Sequence, residues 1–178
     1  MSRDQKRIAY IFLGLFFPFL TLFSPSWLSI SGVSPRWAEL WLLPWALEEG
    51  AWSGAFGGLV LGIILDSIHI AGSTQIPALI ILGYWWGRLG RKKQFSENNV
   101  SLGLLAWLGS FISGCLIWLQ KLFLLKGSVF FVFNAWAFHT LLSGALITGL
   151  LAPLICSWML KIFFKEKSKS FKIFPKIR

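Results

Sequence analysis

What most constrains this chain is a series of long apolar blocks that carry almost no charge. They run over about residues 8–24, 36–49, 52–70, 75–88, 101–125 and 132–160. A helix needs about 20 predominantly apolar residues to cross a hydrocarbon core roughly 30 Å thick. Open strands in lipid would leave backbone N–H and C=O groups without partners. The blocks also lack the two-residue alternation of an outer-membrane barrel. The expectation is an all-α integral membrane protein, a single polytopic domain over 1–178 with about six transmembrane helices. Composition agrees, since 56% of the residues are hydrophobic and 13% charged, against about 45–50% and about 25% in soluble domains.

The net charge of +10 raises the question of nucleic acid, and the placement of the charges answers it. Three basic residues (Arg3, Lys6, Arg7) precede the first block, four (Arg88, Arg91, Lys92, Lys93) lie in the central loop, and seven follow from Lys161 onward. Assigning these regions to the cytoplasm puts 14 of the 17 basic residues there and leaves Arg36, Lys121 and Lys126 outside. That is the positive-inside pattern, and such residues touch anionic headgroups of the bilayer rather than nucleic acid. The pattern requires an even number of crossings between residues 7 and 88. The weakest block, Trp37–Leu47, interrupted by Glu39 and Pro44, is therefore expected to cross. Both termini are then cytoplasmic, and 161–178 is a basic cytoplasmic tail. The first block reads as an uncleaved span, because Phe23-Ser-Pro-Ser-Trp27 lacks a small-x-small cleavage site. Tyr84-Trp85-Trp86 reads as an interfacial aromatic cluster.

The clearest internal pattern is in the third block. Gly50, Gly54, Gly58 and Gly62 recur every four residues, and Asp66 continues the row. Residues four apart share a helix face, so the row forms a flat groove that lets another backbone come close. Gly54, Gly58, Gly62, Asp66 and His69 are the candidate helix-packing or partner-docking residues. Asp66 stands as the one acidic residue well inside a span, and a buried carboxylate in lipid is costly enough to need a stated role. The readings open to it are a cap on the turn at Gly72-Ser73-Thr74, a contact with another subunit, or a proton relay with His69. Shorter small-residue rows are Ala106, Ser110, Gly114 and Thr140, Gly144, Thr148, and Gly83 and Gly87 form a pair. His139 and Ser143, four apart on one helix, are poorly placed as base and nucleophile and read as a packing contact. Cys115 and Cys156 read as small buried hydrophobes. No His-Glu-x-x-His, Walker-type loop or Gly-x-Gly-x-x-Gly is present, so no enzyme, metal site or cofactor is expected.

One stretch carries a resemblance. Pro35-Arg36-Trp37, the apolar block to Leu47, Gly57-Gly-Leu-Val-Leu-Gly-Ile-Ile-Leu-Asp66 and Gly72-Ser-Thr74 resemble the bacterial rod shape-determining membrane protein family MreD. The likeness covers about residues 35–90; the heavy Trp content and the Lys-rich tail depart from it. It implies a non-catalytic, multi-pass scaffold of the bacterial inner (cytoplasmic) membrane, acting in cell elongation and peptidoglycan synthesis. Its implied partners are an MreC-like bitopic protein and, through it, MreB filaments and the polymerase-transpeptidase pair. An alternative is the substrate-binding subunit of an energy-coupling-factor vitamin transporter, a family similar in fold, which requires a polar pocket near the outer face. A third reading, a proton-coupled carrier, requires the relay role for Asp66.

Overall fold

The computed structural model of the protein describes residues 8, 10, 12, 14, 16, 18–20, 29, 32–68, 73–90, 99–124 and 135–161. The basic tail beyond 161, the central-loop residues 91–98 and His69 lie outside the described residues. About 90% of the described chain is helical and none of it is in strands. Its continuous helices are α1 (Trp37–Glu49), α2 (Ala51–Ile68), α3 (Ile76–Leu89), α4 (Asn99–Leu124) and α5 (Ala135–Met159). The described residues between 8 and 20 are helical as well. Among the described residues, three helices, α2, α4 and α5, are long and apolar enough to cross a membrane.

The helices form two pairs with α1 wedged between them. In the first pair, α2 and α3 run antiparallel. A Cβ on Gly54 would collide with the Gly83 carbonyl, one on Gly58 with the Leu79 carbonyl, and one on Gly62 would lie 2.7 Å from the Ile76 Cα. In return, a Cβ on Gly87 would strike Gly50 and Ala51. The four-residue glycine row thus packs within the chain, and Gly83 and Gly87 of α3 are its complement. Without side chains between them the backbones approach closely, which maximises dispersion contact. The second pair, α4 and α5, is also antiparallel, with Gly103 facing Gly149 and Pro153 while Gly114 faces Leu141. Trp86 links the pairs. It is fully buried, its indole lying where a Cβ on Gly109 of α4 would be. The aromatic cluster expected at an interface is therefore split, with Tyr84 exposed, Trp85 half-buried and Trp86 in the core.

Helix α1 has no outward face. All of Trp37 to Leu47 is buried except the half-buried Trp45, and all four other helices touch it. Apolar residues on every side, rather than on one stripe, make a helix of this kind. Pro44 has no N–H to give the Leu40 carbonyl; the Cys156 thiol of α5 approaches that oxygen at 3.4 Å instead. One residue on, the Trp41 carbonyl accepts from the Tyr10 hydroxyl at 3.0 Å, and the Trp41 indole N–H donates back to the Tyr10 carbonyl at 3.2 Å. Tyr10, Trp41 and Trp45 stack together above this patch. At Gly50, whose φ of 95° suits glycine, the chain reverses directly from α1 into α2. The outer faces stay apolar, with Trp52, Phe56, Val60 and Ile63 of α2 and Leu146, Leu150, Leu154 and Trp158 of α5 all exposed. Contiguous apolar surface of this kind suits lipid rather than water.

Gly58→Ala should lower stability to unfolding in detergent by about 1–3 kcal/mol, since the added methyl meets backbone that cannot rotate away. At Gly57 the nearest atom to an added Cβ is the Trp45 side chain at 3.3 Å, so Gly57→Ala should stay within about 0.5 kcal/mol of the parent. Equal losses for the two would show that the glycine row does not set the α2–α3 spacing.

Candidate functional site

The most concentrated polar chemistry lies where the head of α1 enters the α4–α5 pair. Arg36 precedes the first turn of α1 and Glu39 sits within it, three residues on and so on the same side. A carboxylate in a first turn also faces the free N–H groups of the helix end, which favours negative charge. The Arg36 guanidinium Nη1 donates to Glu39 Oε1 at 3.1 Å and to the Ser113 hydroxyl of α4. The Ser110 hydroxyl donates to Glu39 Oε2, and the Ser113 hydroxyl lies 2.5 Å from Glu39 Oε1. On the α5 side, the Arg36 backbone N–H donates to Thr148 Oγ1 at 3.1 Å, whose own hydroxyl donates to the Gly144 carbonyl at 2.7 Å. A Cβ on Gly114 would lie 3.1 Å from Arg36 Nη2. The small residues of α4 and α5 therefore provide the room that the guanidinium occupies.

Burial of the two charges is unequal: the Glu39 side chain is 4% exposed and that of Arg36 27%. A carboxylate taken out of water needs both a counter-charge and hydrogen-bond donors, or it costs several kcal/mol. Glu39 has both. Rotating α1 about its axis would remove the serine donors, so the cluster fixes how α1 seats. Its carboxylate oxygens are occupied by Arg36, Ser110 and Ser113, which suits it to holding helices together rather than to proton transfer.

The residues singled out on the sequence lie elsewhere. Asp66, at the far end of the glycine row, is half-buried. Its Oδ1 accepts from the Gln75 backbone N–H at 2.8 Å, so it ties the end of α2 to the start of α3. Glu39, with its side chain 4% exposed, is more deeply buried than Asp66. His69 lies outside the described residues, so the geometry of an Asp66–His69 pair is not on view. His139 Nδ1 and Ser143 Oγ stand 3.5 Å apart, with His139 exposed and Ser143 buried. Cys156 is buried, whereas Cys115 is exposed on the outer face of α4, unlike the buried position expected of both. Among the described residues, no three His, Cys, Asp or Glu side chains are grouped to hold a metal ion.

In the sequence alone, Arg36 reads as an external loop charge and Glu39 as an interruption. A usable signal was nonetheless present. Two charges three residues apart at the head of an apolar helix need polar partners, and Ser110 and Thr148 lie in the small-residue rows of α4 and α5.

No family model, curated protein or solved structure matches the chain.

The unequal burial predicts unequal costs. Arg36→Gln leaves Glu39 buried without its counter-charge and should cost about 3–5 kcal/mol. Glu39→Gln leaves a guanidinium that reaches solvent and should cost only about 1 kcal/mol. Unfolding titrations of the two purified variants in mild detergent measure both, and the reverse order would refute the asymmetry.

Proposed function

We propose that the chain is a non-catalytic, multi-pass scaffold of the bacterial cytoplasmic membrane, acting with the cell-elongation machinery in rod shape and peptidoglycan synthesis. Its proposed partner is an MreC-like bitopic protein, with MreB filaments and the polymerase-transpeptidase pair reached through it. The observation that carries this reading is how residues 35–90, the stretch resembling MreD, use their distinctive groups. The glycines pack α2 on α3, Asp66 holds the Gln75 N–H, and Arg36 and Glu39 tie α1 to α4 and α5. These groups serve assembly of the bundle, as expected of a scaffold.

Six crossings with both termini in the cytoplasm complete the reading. Two considerations support them: the placement of 14 of 17 basic residues, and the sheathing of α1 by other helices. At about 1.5 Å per residue, the 13 residues of α1 span only about 20 Å. A helix shielded by protein need not match the bilayer by itself, because its ends meet polar groups of the chain or interfacial water.

The vitamin-transporter alternative needs a polar pocket. That pocket would lie near the outer face, at the Arg36 end of α1, where Arg36, Glu39, Ser110 and Ser113 are engaged with one another, which favours the scaffold.

Crosslinking in the native membrane, followed by purification of the chain, should recover an MreC-type bitopic protein, and depletion of the chain should turn rods into spheres. Recovery of a transporter ATPase with unchanged cell shape would overturn the scaffold reading in favour of the transporter.

A further inference from the structure

The exposed side of α3 has a feature that internal packing does not use. Pro77, Ile81, Tyr84 and Arg88 are all exposed and follow one another at helical spacing along one face. Beside them lies a groove of about 630 Å³, walled by Trp52 and Ala55 of α2, Ile81, Tyr84 and Trp85 of α3, and Ile112 of α4. Trp52 and Tyr84 meet edge to face at 6.0 Å, a pairing of amphipathic rings suited to headgroup depth. Arg88 stands one turn beyond Tyr84, at the same end.

We propose that this groove is a binding site for one anionic phospholipid, with an acyl chain along Ile81 and Ile112 and the headgroup phosphate on the Arg88 guanidinium. Two properties select a lipid over a partner helix. Helices associate in membranes through small residues that let backbones approach, and this chain has already committed its glycine face to the α2–α3 contact. The groove walls are instead bulky and irregular, a shape that a flexible hydrocarbon chain can follow. The second property is charge: the exposed Arg88, one turn beyond Tyr84 of the groove wall, complements an anionic amphiphile, and a zwitterionic lipid offers a weaker match. The site does not depend on the scaffold reading, because it requires only that α3 face lipid. In the orientation given by the basic residues, Arg88 lies at the cytoplasmic side, where anionic lipids exert their surface potential.

The test uses the full chain reconstituted into vesicles of equal parts phosphatidylcholine and phosphatidylglycerol, then released into detergent for native mass spectrometry. One phosphatidylglycerol should be retained in preference to phosphatidylcholine. Arg88→Gln should reduce that preference roughly fivefold, and Ile81→Trp, which fills the trough, should reduce retention of both lipids. Both positions are exposed, and an unchanged elution profile and helix content check that the variants fold. Equal retention of the two lipids by the parent chain, or a preference that survives both substitutions, would overturn the proposal. So would a photo-reactive phenylalanine analogue at position 81 that crosslinks to a protein rather than to lipid in native membranes.

Discussion

A helix of 13 residues that carries a carboxylate at its head and a proline in its middle is too short to cross a bilayer alone, and the arrangement of this protein follows from enclosing it. Helix α1 is enclosed on every side, with Leu40, Leu42 and Leu43 all fully buried. Enclosing it takes helices on all sides at close range. The α2–α3 pair reaches that range by having no side chains between its backbones. The α4–α5 pair reaches it through serine, threonine and glycine at the level of Arg36. The N-terminal segment closes the remaining side with Tyr10 against Trp41.

Enclosure has a second consequence, since a buried polar atom of α1 is costly unless it finds a partner inside the protein. Two places are demanding. At Pro44 the helix lacks a donor, and the Cys156 thiol approaches the carbonyl left over. At the head of the helix a full negative charge is buried, and Arg36, Ser110 and Ser113 neutralise and solvate it. Both arrangements depend on α4 and α5 sitting at one rotation and one height relative to α1. The polar contacts therefore fix the register of contacts that dispersion and the hydrophobic effect hold only loosely.

Much of this architecture can be read from the sequence, and for physical reasons. Helices lie over the apolar blocks because periodicity and length are local properties. The helical glycine row is equally legible, since four residues in register mark one face whatever covers it. The covering element is harder to see: Gly83 and Gly87 look weak alone because a pair at four-residue spacing is common. The Arg36–Glu39 cluster was missed for a different reason. Glu39 in a short apolar block lowers the hydropathy of that block and so reads as a defect. Its serine partners lie 71 and 74 residues further along the chain, and nothing in a linear pattern joins them. Trp86 shows the same limit, because three adjacent aromatics point in different directions on a helix and only the fold determines which one enters the core.

The two sides of α1 are held in unlike ways, and this bears on how the sequence can drift. Where α2 meets α3, the contact depends on the absence of atoms. Any residue larger than glycine is excluded at Gly54, Gly58 and Gly83, and the chemistry of the replacement hardly matters. Where α4 and α5 meet the head of α1, the contact depends as well on the presence of particular atoms, the hydroxyls of Ser110, Ser113 and Thr148. Substitutions in one half are thus filtered by volume, and in the other by volume and hydrogen-bonding capacity together. Two copies of this fold could diverge widely in their visible residues and still share both filters.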